Sequence, residues 1–260
     1  FLMGVGPLAK WKQAEIPELA SRLTWAFGVA LVTALLLPFT LGRWTPLVFF
    51  GLLMALWIAA AGAVNLRERL TQLARTGGGS PMKYLKTLPR GYYGMLAAHF
   101  GVAVFIVGVT LVKGFETEKD VRMASGDVTE VGGYTFRLDG LADVDGPNYR
   151  ATRGTITVLE GNRRVAVLYP EKRLYTVQQM PMTEAAIDTG FARDLYVSLG
   201  EPVGDGAWVV RVYHKPFVDW IWGGAFIMAL GGILAVTDRR YRLARRAERS
   251  LPAAVGVAAS

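Results

Sequence analysis

His99 is one of two histidines in the sequence, and it is embedded in an uncharged run from Tyr92 to Val112 (YYGMLAAHFGVAVFIVGVTLV). An ionisable side chain roughly eight residues inside such a run, about 12 Å deep at 1.5 Å per residue, is costly unless it has a partner or lines a cavity. A neutral imidazole meets that requirement by ligating a metal, and haem iron is the common metal at such depth. Gly94, Ala97, Ala98, Gly101 and Ala103 are small enough to let a flat ring approach the backbone. The same small residues also permit close helix packing, with His99 hydrogen-bonded between helices. On the residues alone both readings stand. His214, in Val212-Tyr213-His214-Lys215-Pro216, reads as a surface histidine on a strand end, with axial ligation as its functional alternative.

The rest of the reactive inventory is short. The sequence has no cysteine, which removes disulfides, thiolate metal sites and cysteine nucleophiles together. Two histidines do not make a multi-histidine metal site. Met180 and Met182 flank Pro181; a thioether can ligate haem iron, but more often fills gaps in packing. Glu184, Asp188 and Asp194 are spaced like solvated charges, and nothing marks two of them as an acid/base pair. There is no phosphate-cradling glycine motif, serine elbow or zinc spacing, so no catalytic residue is assigned.

The elements that must position His99 are membrane helices. Of 260 residues, 52% are apolar and 19% charged, and uncharged runs reach the roughly 20 residues a bilayer crossing needs. Spans are expected at about 23–41, 47–64, 92–112 and 217–236. The first two form a hairpin through Gly42-Arg43-Trp44-Thr45-Pro46, with Trp25, Trp44 and Trp57 towards span ends, where indoles favour the interface. Three spans thus lie within 1–112, with residues 65–90 as a basic loop.

The net charge of +8 invites a nucleic-acid reading, but its distribution opposes one. Residues 65–90 carry a net +5 and residues 238–260 a net +4, both flanking apolar runs, while the remainder is slightly acidic. That is the positive-inside pattern, and it places 65–90 and the tail 237–260 in the cytoplasm and 113–216 across the membrane. No nucleic-acid partner is expected; the lipid bilayer is. No signal peptide is evident, and with Phe1 at its start the sequence reads as part of a longer membrane protein.

Residues 113–216 have another texture, with 13 basic and 15 acidic residues. Tyr134, Phe136 and Leu138 alternate with polar neighbours, as do Ile156 and Val158, and Val210 and Val212. Glu160-Gly161-Asn162 and Asp205-Gly206 supply hairpin turns. The expectation is a membrane α-helical protein with an inserted all-β domain, a small β-barrel or sandwich that could be OB-like. Met182–Asp194 reads as a loop or short helix.

Several stretches together resemble the CcmF family. They are His99-Phe100-Gly101-Val102-Ala103, Glu118-Lys119-Asp120-Val121-Arg122-Met123, Gly146-Pro147-Asn148-Tyr149 and Tyr169-Pro170-Glu171-Lys172-Arg173. Met182-Thr183-Glu184-Ala185-Ala186-Ile187-Asp188, Arg193-Asp194-Leu195-Tyr196 and Lys215-Pro216-Phe217-Val218 follow in the same order. The resemblance covers about residues 90–243. It implies a subunit of the haem lyase that joins haem to the thiols of apocytochrome c, in the bacterial inner membrane, with 113–216 in the periplasm. It implies haem b held between two transmembrane histidines, with His99 matching one of them as a ligand to the haem iron. The other histidine, and those that hold the substrate haem, belong upstream, so this fragment alone should not be active. The implied partners are apocytochrome c, a periplasmic haem chaperone and the thiol-reducing, apocytochrome-presenting subunit. Met182, Glu184, Asp188, Arg193 and Asp194 are the expected partner contacts. The alternatives are a paralogous lyase dedicated to nitrite reductase, a membrane haem transporter, or a scaffold without catalysis.

Overall fold

The computed structural model describes residues 2–6, 16–177 and 179–238. The chain divides into two compact units, one of Phe1–Leu41, Phe49–Ile106 and Gly223–Ser260, the other of Gly42–Val48 and Val107–Trp222. After a single turn, α1 (Leu2–Val5), come α2 (Ile16–Thr40), α3 (Pro46–Gly77), α4 (Arg90–Phe115) and, past the strands, α5 (Val218–Val236). Among the described residues four helices, α2 to α5, are long and apolar enough to cross a membrane. The protein is a multi-pass membrane protein. The expected basic tail, 237–260, lies outside the described residues from 239 onward.

Local signals explain the ends of α3. Gly42 takes a positive φ of 87° in the turn after α2, Pro46 opens α3 where a missing N–H costs nothing, and Thr45 Oγ1 accepts the Val48 N–H at 3.3 Å as an N-cap. At the far end α3 runs on to Gly77, and a 3-10 helix follows at Pro81–Thr87, so most of 65–90 is helical instead of the expected loop. Leu66, Leu70 and Leu73 recur at helical spacing through this stretch, so one face stays apolar, while Arg67 and Arg75 line another. The helix stops where Gly78, at φ 72°, returns its N–H to Ala74 O.

Trp57 is also not the interface residue expected. It is buried, edge-on to Phe27 at 5.6 Å and packed against Gly4.

α4 and α5 are antiparallel and meet along glycines. Gly94, Gly101 and Gly108 on α4 are seven apart, two turns on one face, as are Gly224 and Gly231 on α5. A Cβ on Gly94 would lie 2.5 Å from Gly231 O, and one on Gly224 would lie 2.5 Å from Phe105 N. The backbones are therefore in direct contact, as in small-residue membrane packing.

In the other unit the described residues form ten strands in two sheets. One sheet is ordered β1 (Thr117–Met123), β10 (Trp208–Pro216), β9 (Arg193–Pro202), β8 (Ala186–Asp188). The other is ordered β2 (Val128–Val131), β3 (Tyr134–Asp145), β4 (Tyr149–Glu160), β6 (Glu171–Tyr175), β7 (Pro181–Glu184), with β5 (Arg163–Leu168) also on β4. All pairings are antiparallel. Phe136, Leu138, Ile156 and Val158 from one sheet share a core with Leu195, Val197, Val210 and Val212 from the other. The alternation in the sequence is this inward-facing set. Of the β architectures expected, the sandwich is the one present. Met182–Asp194 is neither loop nor helix; it contains the end of β7, all of β8 and the start of β9.

Candidate functional site

Within the helical unit α3 and α4 enclose an open groove of about 300 Å³. Ile58, Ala59, Gly62, Ala63 and Leu66 line it from α3, and Leu96, His99 and Phe100 from α4. The lining is apolar except for His99, which is half-buried. His99 Nδ1 lies 2.9 Å from Met95 O, one turn back. A carbonyl only accepts, so Nδ1 carries the proton in that bond. That bond leaves Nε2 as the nitrogen free to ligate, and no partner for it is found among the described residues. That is the usual arrangement of a ligating histidine: one nitrogen donates to a backbone carbonyl and fixes the ring, the other faces the metal.

The small residues of α4 do not serve the groove. Gly94 and Gly101 face α5, which is the packing alternative left open above. The surface a flat ring could approach comes instead from Ala59, Gly62 and Ala63 on α3. Their spacing was visible in the sequence but carried no histidine to draw notice to it. The groove and His99 fit one axial position of a haem. No cluster of three His, Cys, Asp or Glu side chains that could hold a metal ion is present among the described residues.

The expected partner contacts fall into two groups. Met182 and Glu184 lie on β7, at the edge of one sheet, and Met182 is exposed. Asp188, Arg193 and Asp194 lie on β8 and β9 of the other sheet. Arg193 forms an ion pair with Asp188 and stacks over Tyr134, 5.4 Å from the ring centroid. Asp194 is buried and accepts the Gly190 N–H at 3.2 Å; burial pushes its carboxyl above the usual aspartate range. Met180, Met182, Ile187 and Phe191 are exposed along this stretch, so the two methionines fill no gap.

His214 is not a surface residue. It is half-buried, stacked on Tyr134 at 5.7 Å between centroids, and rests against Gly132, where a side chain would collide with it. Desolvation, and then the Arg193 charge, lower its pKa.

Glu171, which in the sequence is one residue of Tyr169-Pro170-Glu171-Lys172-Arg173, sits at the centre of a charge cluster in the domain. Its carboxylate is 4% exposed and accepts from Arg153 at 2.6 Å and Arg173 at 2.7 Å. Arg173 also reaches Glu184 at 3.4 Å and lies 4.4 Å from the Tyr149 ring centroid.

Comparison with known proteins follows the same division. The profile of a family described as "CcmF C-terminal beta-sandwich" matches residues 114–216. The chain is 42% identical over 242 residues to the cytochrome c-type biogenesis protein CcmF of Pseudomonas fluorescens, covering 93% of this chain and 36% of that protein. It is 41% identical over 255 residues to CcmF of Escherichia coli (strain K12), covering 98% and 38%. The cytochrome c-type biogenesis protein NrfE of Haemophilus influenzae is 34% identical over 148 residues, covering 57% and 23%. A solved structure, "Cytochrome c Heme Lyase CcmF", superposes with a TM-score of 0.71 at 24% identity, over 91% of this chain and 38% of that one. The chain spans a little over a third of the length of the CcmF relatives it matches.

Proposed function

The chain belongs to the CcmF family, matching its C-terminal region, and on that premise we propose that it is part of a haem lyase that attaches haem covalently to apocytochrome c. The observation that carries the reading is His99: a histidine deep in a membrane helix, with Nδ1 committed to Met95 O and its side chain among the residues that line an apolar groove. In this proposal His99 supplies one axial ligand of a haem b, and the second comes from a part of the protein outside this chain. A haem held there by His99 would supply an electron-transfer centre. This chain's residues orient the imidazole, keep its proton on Nδ1 and exclude water through the Leu66, Leu96 and Phe100 lining. The protein lies in the bacterial inner membrane with residues 113–216 in the periplasm, the orientation the basic segments favour.

The test is a reduced-minus-oxidised spectrum of the full-length protein with and without His99→Ala. A b-type spectrum that is lost or altered in the variant is expected. Identical spectra would make His99 a packing residue and remove the basis of this reading.

The β-sandwich is proposed to dock the rest of the maturation system: apocytochrome c, the haem chaperone or the subunit that presents the apocytochrome. Exposed Met182 and Ile187 on the edge strands β7 and β8 support this, because edges and exposed apolar side chains are where extended chains add. Replacing Glu184 and Asp188 together by alanine is expected to weaken capture of an apocytochrome c by about tenfold, or 1.4 kcal/mol. Unchanged capture by the double variant would place the contact elsewhere. The similarity to NrfE favours a second reading, a lyase dedicated to nitrite reductase, which the choice of haem-attachment motif in the captured apoprotein would separate.

A further inference from the structure

The faces of α3 and α4 that line the groove at His99 continue into a polar end outside that lining. Two turns along α4 from His99, on the same face, is Tyr92; two turns along α3 from Gly62, on the same face, is Arg69. Seven residues correspond to about 10 Å of helix, comparable to the reach from a haem iron to its propionate carboxylates. Tyr92 OH donates to Asn65 Oδ1 at 2.5 Å and so ties the two helices together at this level. Arg69 is one turn beyond Asn65 on the same face of α3, and it makes no ion pair among the described residues. The other arginines of this stretch, Arg67 and Arg75, line a separate groove with Trp25 and Thr71 on another face of α3.

We infer that Arg69, positioned beside the Tyr92–Asn65 pair, binds a propionate carboxylate of the haem ligated by His99. The inference rests on the reading of His99 given above and adds the orientation of the macrocycle: its carboxylate edge points along the groove towards the Gly77 end of α3. A guanidinium presents a planar fork of donors that matches a carboxylate. Its exposed position, with no carboxylate paired to it among the described residues, leaves it available for one. Leu66 and Leu96, one turn before the polar end, would flank the apolar part of the ring.

The experiment is a redox titration of the full-length protein with four variants, read together with the propionate bending bands in resonance Raman spectra. Arg69→Gln is expected to keep haem, shift those bands and lower the midpoint potential by about 59 mV, a tenfold change for one electron. The sign follows because a nearby cation favours the reduced iron and its removal favours the oxidised. Arg69→Lys should recover part of the shift, and Arg67→Gln, on the other face, should show none. A wild-type potential and wild-type bands in Arg69→Gln overturn the inference, as does an equal shift in Arg67→Gln, which would mark a diffuse charge effect. Loss of haem from Arg69→Gln counts in favour only if Arg69→Lys restores it, and against otherwise. His99→Ala separates the premise: an unchanged spectrum there removes the haem reading itself, whereas a changed spectrum with an indifferent Arg69 removes only this inference.

Discussion

A Gly101→Val protein is expected to lose its thermal stability in detergent and, on the proposal that His99 ligates haem, its haem absorbance as well. A Cβ at Gly101 would lie 2.7 Å from Met228 N and 2.8 Å from Gly224 O. Both are backbone atoms, so no side-chain rotation relieves the overlap. α4 and α5 must move apart or α4 must turn. Overpacking an ordinary core costs about 1–3 kcal/mol, and a clash with two backbone atoms on a neighbouring helix belongs at or above the top of that range. His99 is two residues away on α4, so a turn of the helix carries Nε2 out of its groove. The measurements are the aggregation temperature and the haem-to-protein absorbance ratio. Gly223→Ala is the control, because nothing lies within 4 Å of a Cβ there; it should match the wild type. A Gly101→Val protein that keeps both properties would mean that α4 and α5 do not meet along these glycines.

Glu171→Ala should destabilise the β-sandwich by about 3 kcal/mol, the scale of breaking a buried ion pair from one side. Arg173, less than a quarter exposed, would lose its shortest carboxylate contact. Arg153, more exposed, recovers solvent and contributes less. The same cluster fixes the sign of a pH dependence. Desolvation alone would raise the Glu171 pKa, but the hydrogen bonds and charges of Arg173 and Arg153 outweigh it and hold the carboxyl below the usual glutamate range. A folded pKa below the unfolded one means that the unfolded chain binds the proton first. The contribution of Glu171 is therefore present in full above the ordinary glutamate pKa and is lost as the pH falls through its lowered folded value. Thermal melts of residues 114–216 from neutral pH down to pH 3 should show an acid-side decline that is shallower in Glu171→Ala. Parallel declines in the two proteins would remove Glu171 as the source.

The spans and the β-domain were legible because each rests on a single strong periodicity. The absence of charge over about 20 residues marks a bilayer crossing whatever its neighbours are, and Phe136, Leu138, Val210 and Val212 alternate inward because one face of each sheet is buried. What escaped depends on partners remote in sequence. Gly94 and Gly101 look the same beside a cofactor as beside Gly231 and Gly224. Trp57 has the composition of an interface anchor but lies opposite Phe27. β7 and β8 are short strands whose pairing with β6 and β9 supplies the order that local propensity does not. The extension of α3 past residue 65 was hidden by its charge, which marked a segment leaving the membrane but not whether it stayed helical. For the candidate site, His99 stood out by its chemistry alone, whereas the Met95 carbonyl that fixes its tautomer is a backbone atom and carries no signature.

The β-sandwich is entered one residue after α4 ends at Phe115, and left one residue before α5 begins at Val218. Its first and last strands are neighbours, with Thr117 opposite His214, so the chain enters the domain about 5 Å from a residue two short of its exit at Pro216. A domain with that geometry is an insertion: its chain enters and leaves through two adjacent antiparallel strands. Evolution could therefore exchange the inserted domain while leaving the sequence of the helix that carries His99 untouched. A protein engineer could do the same, replacing residues 117–216 by a short turn or by another domain whose ends lie equally close.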